Sequence, residues 1–135
     1  MTYENSGSKN EIAGLLKLTG VLVFGMWNAK YKQPRFIENA AQEELYQKFL
    51  RLIDRGKINE AENEMLAYIE DMSFDCNDIP VRENISLLDF GLSVYGYMNE
   101  KEEVFLKEHH YSREEIEEGI HDLLIRFGKE AIAVR

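Results

Sequence analysis

LYQKFLRLIDRGKINEAENEMLAYIEDM, residues Leu45 to Met72, contains two helices and the turn that folds one onto the other. Leu45, Phe49, Leu50 and Ile53 recur at helical steps and form one apolar stripe. Gly56 follows, where helices close in the left-handed conformation that glycine adopts most cheaply. Asn59, with Glu62 three residues on, has the pattern of a helix start: the amide side chain accepts from an orphan backbone N–H and the carboxylate reaches back. The second helix then buries Ala61, Met65, Leu66, Tyr68 and Ile69. A link of about three to five residues forces the pair to pack antiparallel. The small Ala61 lets the two backbones approach.

Composition bounds the rest. The chain has 135 residues, 44% hydrophobic and 30% charged, with 9 Gly and 2 Pro. That is enough apolar material for the core of one ordered domain and too much charge for a membrane-embedded one. A single cysteine, Cys76, forms no internal disulfide and fits a reducing cytoplasm. It lies in the acidic segment SFDCNDIP, the wrong surroundings for a nucleophile that needs its thiolate stabilised.

Charge divides the chain in two. Residues 1–37 carry Lys9, Lys17, Lys30, Lys32 and Arg35 against Glu4 and Glu11, a net +3; with −9 overall, residues 38–135 hold −12. We read 1–37 as a flexible tail, an apolar N-terminal helix and a basic linker, and 38–135 as an acidic helical domain. Such a body repels nucleic acid, whose binding rests on neutralising phosphates, so no nucleic-acid partner is expected.

Met1 to Asn10 is polar and reads as a frayed tail. From Glu11 to Trp27 the chain turns apolar, and Ile12, Leu15, Leu16, Thr19, Val23 and Met26 form a stripe that Leu18, Val21, Leu22 and Phe24 widen nearly all round. Three readings compete. The helix packs in the core or in a dimer, it lies on a membrane surface through residues 11–35, or it is a cleaved signal peptide. The last suffers from Lys17 inside the apolar run and from Glu4 and Glu11 at its start. A full span is short of the ~20 apolar residues it needs. We take packing, with self-association as a homodimer through Leu15, Leu16, Val23, Met26 and Trp27, flanked by Lys30, Lys32 and Arg35.

Pro34 breaks the linker before the hairpin, and Asn77, Asp78 and Pro80 break the chain after it. From Glu83 the chain is helical again, with Leu88, Leu92 and Tyr95 on one face, Leu87 and Met98 beside them, and Gly91 and Gly96 allowing close helix contact. Asn99 with Glu102 repeats the cap-like pattern ahead of a short helix carrying Val104, Phe105 and Leu106. YSREEI is the best local signal: Ser112 and Glu115 make a capping box, with Tyr111 and Ile116 as its hydrophobic staple. Ile116, Ile120, Leu123, Leu124 and Phe127 then mark one face, and Gly128 closes the helix.

The hairpin resembles one tetratricopeptide-type unit in Gly56, Ala61 and Met65, although no second copy follows at the period of about 34 residues that such arrays use. GKINEAEN (Gly56 to Asn63) and YSREEIEEGI (Tyr111 to Ile120) together resemble a family of short helical proteins of unknown function from Gram-positive bacteria, over Leu45 to Gly128. That resemblance implies the fold and no activity. The family pattern has a shorter middle connection, from which the SFDCNDIPVREN segment within 73–84 departs.

Candidate chemistry is sparse. Glu118 and His121 have the Glu-x-x-His spacing of a di-metal bundle site, but a second such motif is missing, because Leu106 and Lys107 precede His109 and His110 by three residues. Both Glu118 and His121 fall off the apolar stripe, on the face expected to meet solvent. A metal-dependent enzyme using them with His109 or His110 is therefore the alternative and not the leading reading. No catalytic triad or Gly-rich phosphate loop is present, and no cofactor is expected. Trp27, Tyr31 and Phe36 beside the linker's basic residues read as core or contact aromatics. The sequence thus predicts an all-α bundle of five to six helices built on antiparallel, TPR-like hairpins. It predicts a cytoplasmic, non-enzymatic interaction module with an unknown protein or peptide partner, membrane-peripheral only if residues 11–35 meet lipid.

Overall fold

Ser86 to Gly96 is buried residue by residue, and that run sets the architecture. The computed structural model describes residues 8–25, 34, 37, 39–75 and 85–129. It contains six α-helices, α1 (Lys9–Phe24), α2 (Ala40–Asp54), α3 (Ile58–Asp75), α4 (Ile85–Asn99), α5 (Glu103–Glu108) and α6 (Arg113–Arg126). No strand occurs among the described residues. The all-α bundle is as the periodicity predicts. Its centre is different: α4, not the α2–α3 hairpin, touches α1, α2, α3 and α6. Leu87, Leu88, Leu92, Tyr95 and Met98 all face the core, as do the small Ser93 and Gly96 between them. A Cβ at Gly91 would lie 2.6 Å from Leu123 Cδ1 and 3.0 Å from Ile69 Cδ1, so its absence lets α3 and α6 close on α4.

The hairpin clamps one side of α4 with aromatic rings. Phe90 meets Tyr46 at 5.3 Å and Phe49 at 6.0 Å, both edge-on, and Tyr68 at 5.1 Å. Such pairs add about 0.5–1.5 kcal/mol each beyond the area they bury. Ala61, Met65 and Ile69 are buried as expected, with Leu66 and Tyr68 half-buried against them. The turn closes with two bonds, from Lys57 N–H to the Leu52 carbonyl and from Gly56 N–H to the Ile53 carbonyl, both 2.9 Å. Gly56 supplies the φ of 83° that this Schellman closure needs. The end of α5 closes the same way, from Tyr111 and His110 to Leu106 and Lys107, but with His110 at φ 60° in the glycine position. Histidine is among the few residues that tolerate that conformation.

Two helices start earlier than their apolar patterns. Ser8 caps α1, its side chain accepting from Glu11 N–H at 3.1 Å, so Lys9 and Asn10 are helix and not tail. Asn39 caps α2 by accepting from Gln42 N–H at 2.8 Å, which adds Tyr46 to the core. At its other end α1 stops at Gly25, φ 76°, short of Trp27. The Ser112–Glu115 capping box forms as read, with Tyr111 and Ile116 buried on either side of it.

The other two cap readings fail, for one reason. Asn59 lies inside α3, and Glu62 binds two tyrosine hydroxyls with its two oxygens. Asn99 is buried: its Nδ2 donates to the Lys9 carbonyl at 3.1 Å, and its Oδ1 accepts from Arg113 Nη1 at 2.8 Å. Glu102 starts α5 without a side-chain cap bond. Arg113, also buried, donates in addition to the carbonyls of Asn99 (2.9 Å) and Lys101 and to Glu103 Oε1 (2.9 Å).

Ser112→Ala is expected to destabilise the fold by about 0.5–2 kcal/mol, the usual cost of an N-cap. Arg113→Leu is expected to cost more, about 2–3 kcal/mol, because it leaves buried carbonyls without their donor. Chemical denaturation measures both; a smaller loss for Arg113→Leu than for Ser112→Ala would contradict the ranking.

Candidate functional site

α1 presents two apolar faces. Ile12, Leu15, Leu16, Thr19 and Gly20 point into the bundle against α4 and α6. Leu15 and Leu16, read from sequence as contact residues, are only 6% and 5% exposed and belong to the chain's own core. Val23 is half-buried against that core. Met26, Trp27, Lys30, Lys32 and Arg35 lie outside the described residues. The opposite face carries Leu18, Val21 and Leu22, exposed by 48%, 50% and 62%, between the glycines Gly14 and Gly25. Among the described residues nothing lies within 4 Å of a Cβ built on either glycine. Sequence reasoning counted these three leucine and valine positions as extra width on a buried helix. Only the placement of α4 and α6 shows which edge they cannot cover.

A concave feature lies where α3, α4 and α6 meet. It is a groove of about 540 Å³ lined by Glu62, Leu66, Tyr95, Glu115, Glu118, Gly119, Asp122, Leu123, Ile125 and Arg126. Its floor is a hydrogen-bonded set: Tyr95 donates to Glu62 Oε2 at 2.6 Å and Tyr111 donates to Glu62 Oε1 at 2.9 Å. Tyr95 packs against Gly119, where a Cβ would come within 2.4 Å of the phenol. Burial, and then the Glu62 carboxylate, push both tyrosine pKa values far above the usual phenol range. Its polar lining is the carboxylates of Glu62, Glu115, Glu118 and Asp122, the Tyr95 hydroxyl and Arg126, with no Ser, Cys or Lys among the residues that line it.

The histidines do not gather there. Glu118 is on the groove's exposed rim. His121, expected in solvent, is half-buried, and its Nε2 is enclosed with no hydrogen-bond partner among the described residues. His109 Nδ1 donates to the Phe105 carbonyl at 2.8 Å, and the ring fills the space left by Gly56, where a Cβ would fall 2.1 Å from it. His110 is exposed at the end of α5. Among the described residues no three His, Cys, Asp or Glu side chains form a group able to hold a metal ion. The metal site considered for Glu118 and His121 with His109 or His110 therefore does not assemble. Cys76 lies outside the described residues, as does most of the 73–84 connection.

Residues 3–128 match the pattern of a family of unknown function, DUF6483. The chain belongs to that family. The DUF6483 match begins well before Leu45 and takes in α1 and the middle connection, which the hairpin and α6 signatures do not reach. No curated protein and no solved structure matches the chain. Among the described residues no helix is long and apolar enough to cross a membrane.

The tyrosine floor of this DUF6483 chain has a pH signature. The folded state holds the Tyr95 and Tyr111 protons more tightly than the unfolded chain does. Tyr97, which donates to Asp54 at 2.8 Å, is pushed up to about 12 by burial and by that bond. Folded-state values above the unfolded value give stability that is complete below about pH 10, where unfolded tyrosines begin to ionise, and that declines as pH rises further. Stability is therefore expected to fall more steeply with pH between about 10 and 11 in the parent than in a Tyr95→Phe, Tyr111→Phe variant. Denaturation midpoints at several alkaline pH values measure this. Equal slopes would mean that the tyrosines ionise normally in the folded protein.

Proposed function

We propose that the protein is a non-enzymatic helical interaction module that self-associates through the outer face of α1. One observation carries this reading: Leu18, Val21 and Leu22 form a continuous exposed apolar stripe on a helix whose opposite face is already buried in the core. Large exposed apolar patches mark association sites. Water is a poor environment for that stripe; the other exposed large apolar side chains among the described residues, Ile85, Val104 and Ile125, stand on three different helices. The likeness of the α2–α3 hairpin to one tetratricopeptide unit supports a binding role of the same class, since such hairpins commonly present surfaces to other chains. A cytoplasmic setting in a Gram-positive bacterium fits the single cysteine and the family resemblance and belongs to the same reading.

A membrane surface fits the stripe less well than a second protein. Interfacial helices border their apolar face with basic residues. Here Glu11 lies in line with the stripe and Lys17 is the one described cation beside it. The acidic body would also be repelled by anionic lipid.

Sedimentation velocity over a range of concentrations tests the proposal. Full-length protein is expected to move from monomer to dimer as concentration rises, and Leu18→Glu, Leu22→Glu to remain a monomer with unchanged helical circular dichroism. Deleting residues 1–37 would be a poor test, because it would also strip Ile12, Leu15 and Leu16 from the core. A parent protein that is monomeric at every concentration would defeat the reading. Flotation of the parent with anionic vesicles, lost in the double variant, would replace it with a membrane role.

A further inference from the structure

α3 and α6 both pack on α4, and the groove floored by Tyr95 lies between them. Its α6 wall runs from Glu115 to Arg126, eleven residues apart. At 1.5 Å per residue that is about 16 Å, the length of about five residues of extended chain. Leu66 and Leu123 give the groove an apolar lining, and Ile125 stands beside them 51% exposed. From this combination of shape, apolar lining and charge we infer that the groove binds a short basic segment of another protein. A lysine or arginine of that segment lays its aliphatic stem on Leu66 and Leu123 and brings its charge to Glu118 and Asp122. The inference goes beyond self-association and does not depend on it, because among the described residues none of α1 lines the groove.

Charge selects the sign of the occupant. Glu62, Glu115, Glu118 and Asp122 line the groove against a single cation, Arg126. Two of the four carboxylates are already engaged: Glu62 accepts from Tyr95 and Tyr111, and Glu115 closes the capping box of α6. Glu118 and Asp122 are the two left over. Both are exposed, they stand one turn apart on α6, and neither forms an ion pair among the described residues. Their field reaches the floor. After burial and Glu62, the Asp122 charge also holds the Tyr95 phenol above its usual range. The tyrosines donate to Glu62 as neutral groups and so leave the negative charge of the groove in place. An incoming surface gains most there by carrying positive charge.

Shape selects its kind. Among the described residues no three acidic, histidine or cysteine side chains gather closely enough for a metal ion. The acid is instead spread along a wall beside apolar side chains, which suits an extended cation. Lysine and arginine combine the two properties the lining asks for, an apolar stem and a charged tip. Their N–H groups make charge-assisted hydrogen bonds to carboxylates such as Glu118 and Asp122. Nucleic acid and anionic lipid carry the opposite charge and are repelled. The floor needs no rearrangement to receive such a segment, since Tyr95 is locked between Glu62 and the bare backbone of Gly119.

Fluorescence anisotropy with a labelled, end-capped pentalysine peptide tests the site on the full chain. The parent is expected to bind one peptide per chain. Glu118→Gln, Asp122→Asn is expected to weaken binding about three- to tenfold, the size of two surface ion pairs. Glu43→Gln, Glu44→Gln removes the same charge from exposed positions on α2 and is expected to leave binding within about twofold. Ile125→Ser is expected to weaken it without any change of charge. All four positions are exposed, so circular dichroism is expected to be unchanged. Leu18→Glu, Leu22→Glu is expected to bind like the parent, which separates this site from the association face. A parent that does not bind the peptide would overturn the inference. So would equal losses in the α6 and α2 double variants, which would reduce the effect to general attraction by an acidic surface. Spermine binding as tightly as the peptide and displacing it would replace the protein segment with a free polyamine.

Discussion

Arg113 is the residue on which the bundle's geometry depends. Its guanidinium is buried, and a buried charge is tolerated only when its donors are satisfied. It spends them on the Asn99 backbone and side chain, on the Lys101 carbonyl and on Glu103. Asn99 in turn holds the first residue of α1. The end of α4, the turn into α5, the start of α6 and the start of α1 thus meet in one hydrogen-bonded knot. Helix ends leave carbonyls and amides without intrahelical partners. Here the carbonyl of Asn99, the last residue of α4, is satisfied by a cation instead of by water, which is what allows that end to be buried. The ion pair with the exposed Glu103 carboxylate is the weaker part of the arrangement, since surface pairs contribute little. The carbonyl contacts fix where α6 begins relative to α4.

A second polar junction, Glu62 with Tyr95 and Tyr111, joins α3 to α4 and to the start of α6. Both junctions lie on α4, one near its last turn and one at its end. An apolar helix buried all round has no preferred rotation against its neighbours from hydrophobicity alone. Directional bonds at Tyr95 and Asn99 supply it, while Gly91 and Gly119 set how closely the neighbouring helices approach. Specificity in this core therefore comes from a few polar atoms and two missing side chains, and its stability from the aromatic and aliphatic packing around Phe90 and Leu88.

What could be read from the sequence was what is local. The Gly56 turn, the Ser112–Glu115 box and the stripes of α2, α3 and α6 depend on residues within one or two turns of each other, and each is present. Asn59–Glu62 and Asn99–Glu102 carry the same local pattern and are not caps. Their carboxylate and amide are claimed by partners 33, 49 and 90 positions away, and spacing along one helix holds no information about those. Ser8–Glu11 and Asn39 are the reverse case, true caps hidden in segments whose polarity reads as tail and linker. The central role of α4 was hidden as well. Its two glycines lower its intrinsic helicity, and the stripe of Leu88, Leu92 and Tyr95 does not show that the side carrying Ser86, Asp89 and Ser93 is buried as well.

The same reasoning separates the two sides of α1. A stripe of Ile12, Leu15 and Leu16 and one of Leu18, Val21 and Leu22 are alike in composition, so sequence alone assigns both to one purpose. The bundle distinguishes them by running out of partners. α4 is already enclosed by α1, α2, α3 and α6, and α1 packs mainly on α4 and α6. Covering the outer side would take a further helix, and among the described residues none of the six is free to supply it, since each is committed to the core through its own buried residues. Among the described residues, the apolar outer face of α1 is thus the side that the six helices leave without a partner. Leu18, Val21 and Leu22 are exposed apolar side chains gathered on one side of one helix, whereas the groove at Glu62 has its polar floor satisfied within the chain, which is why that face and not the acidic groove carries the reading of self-association.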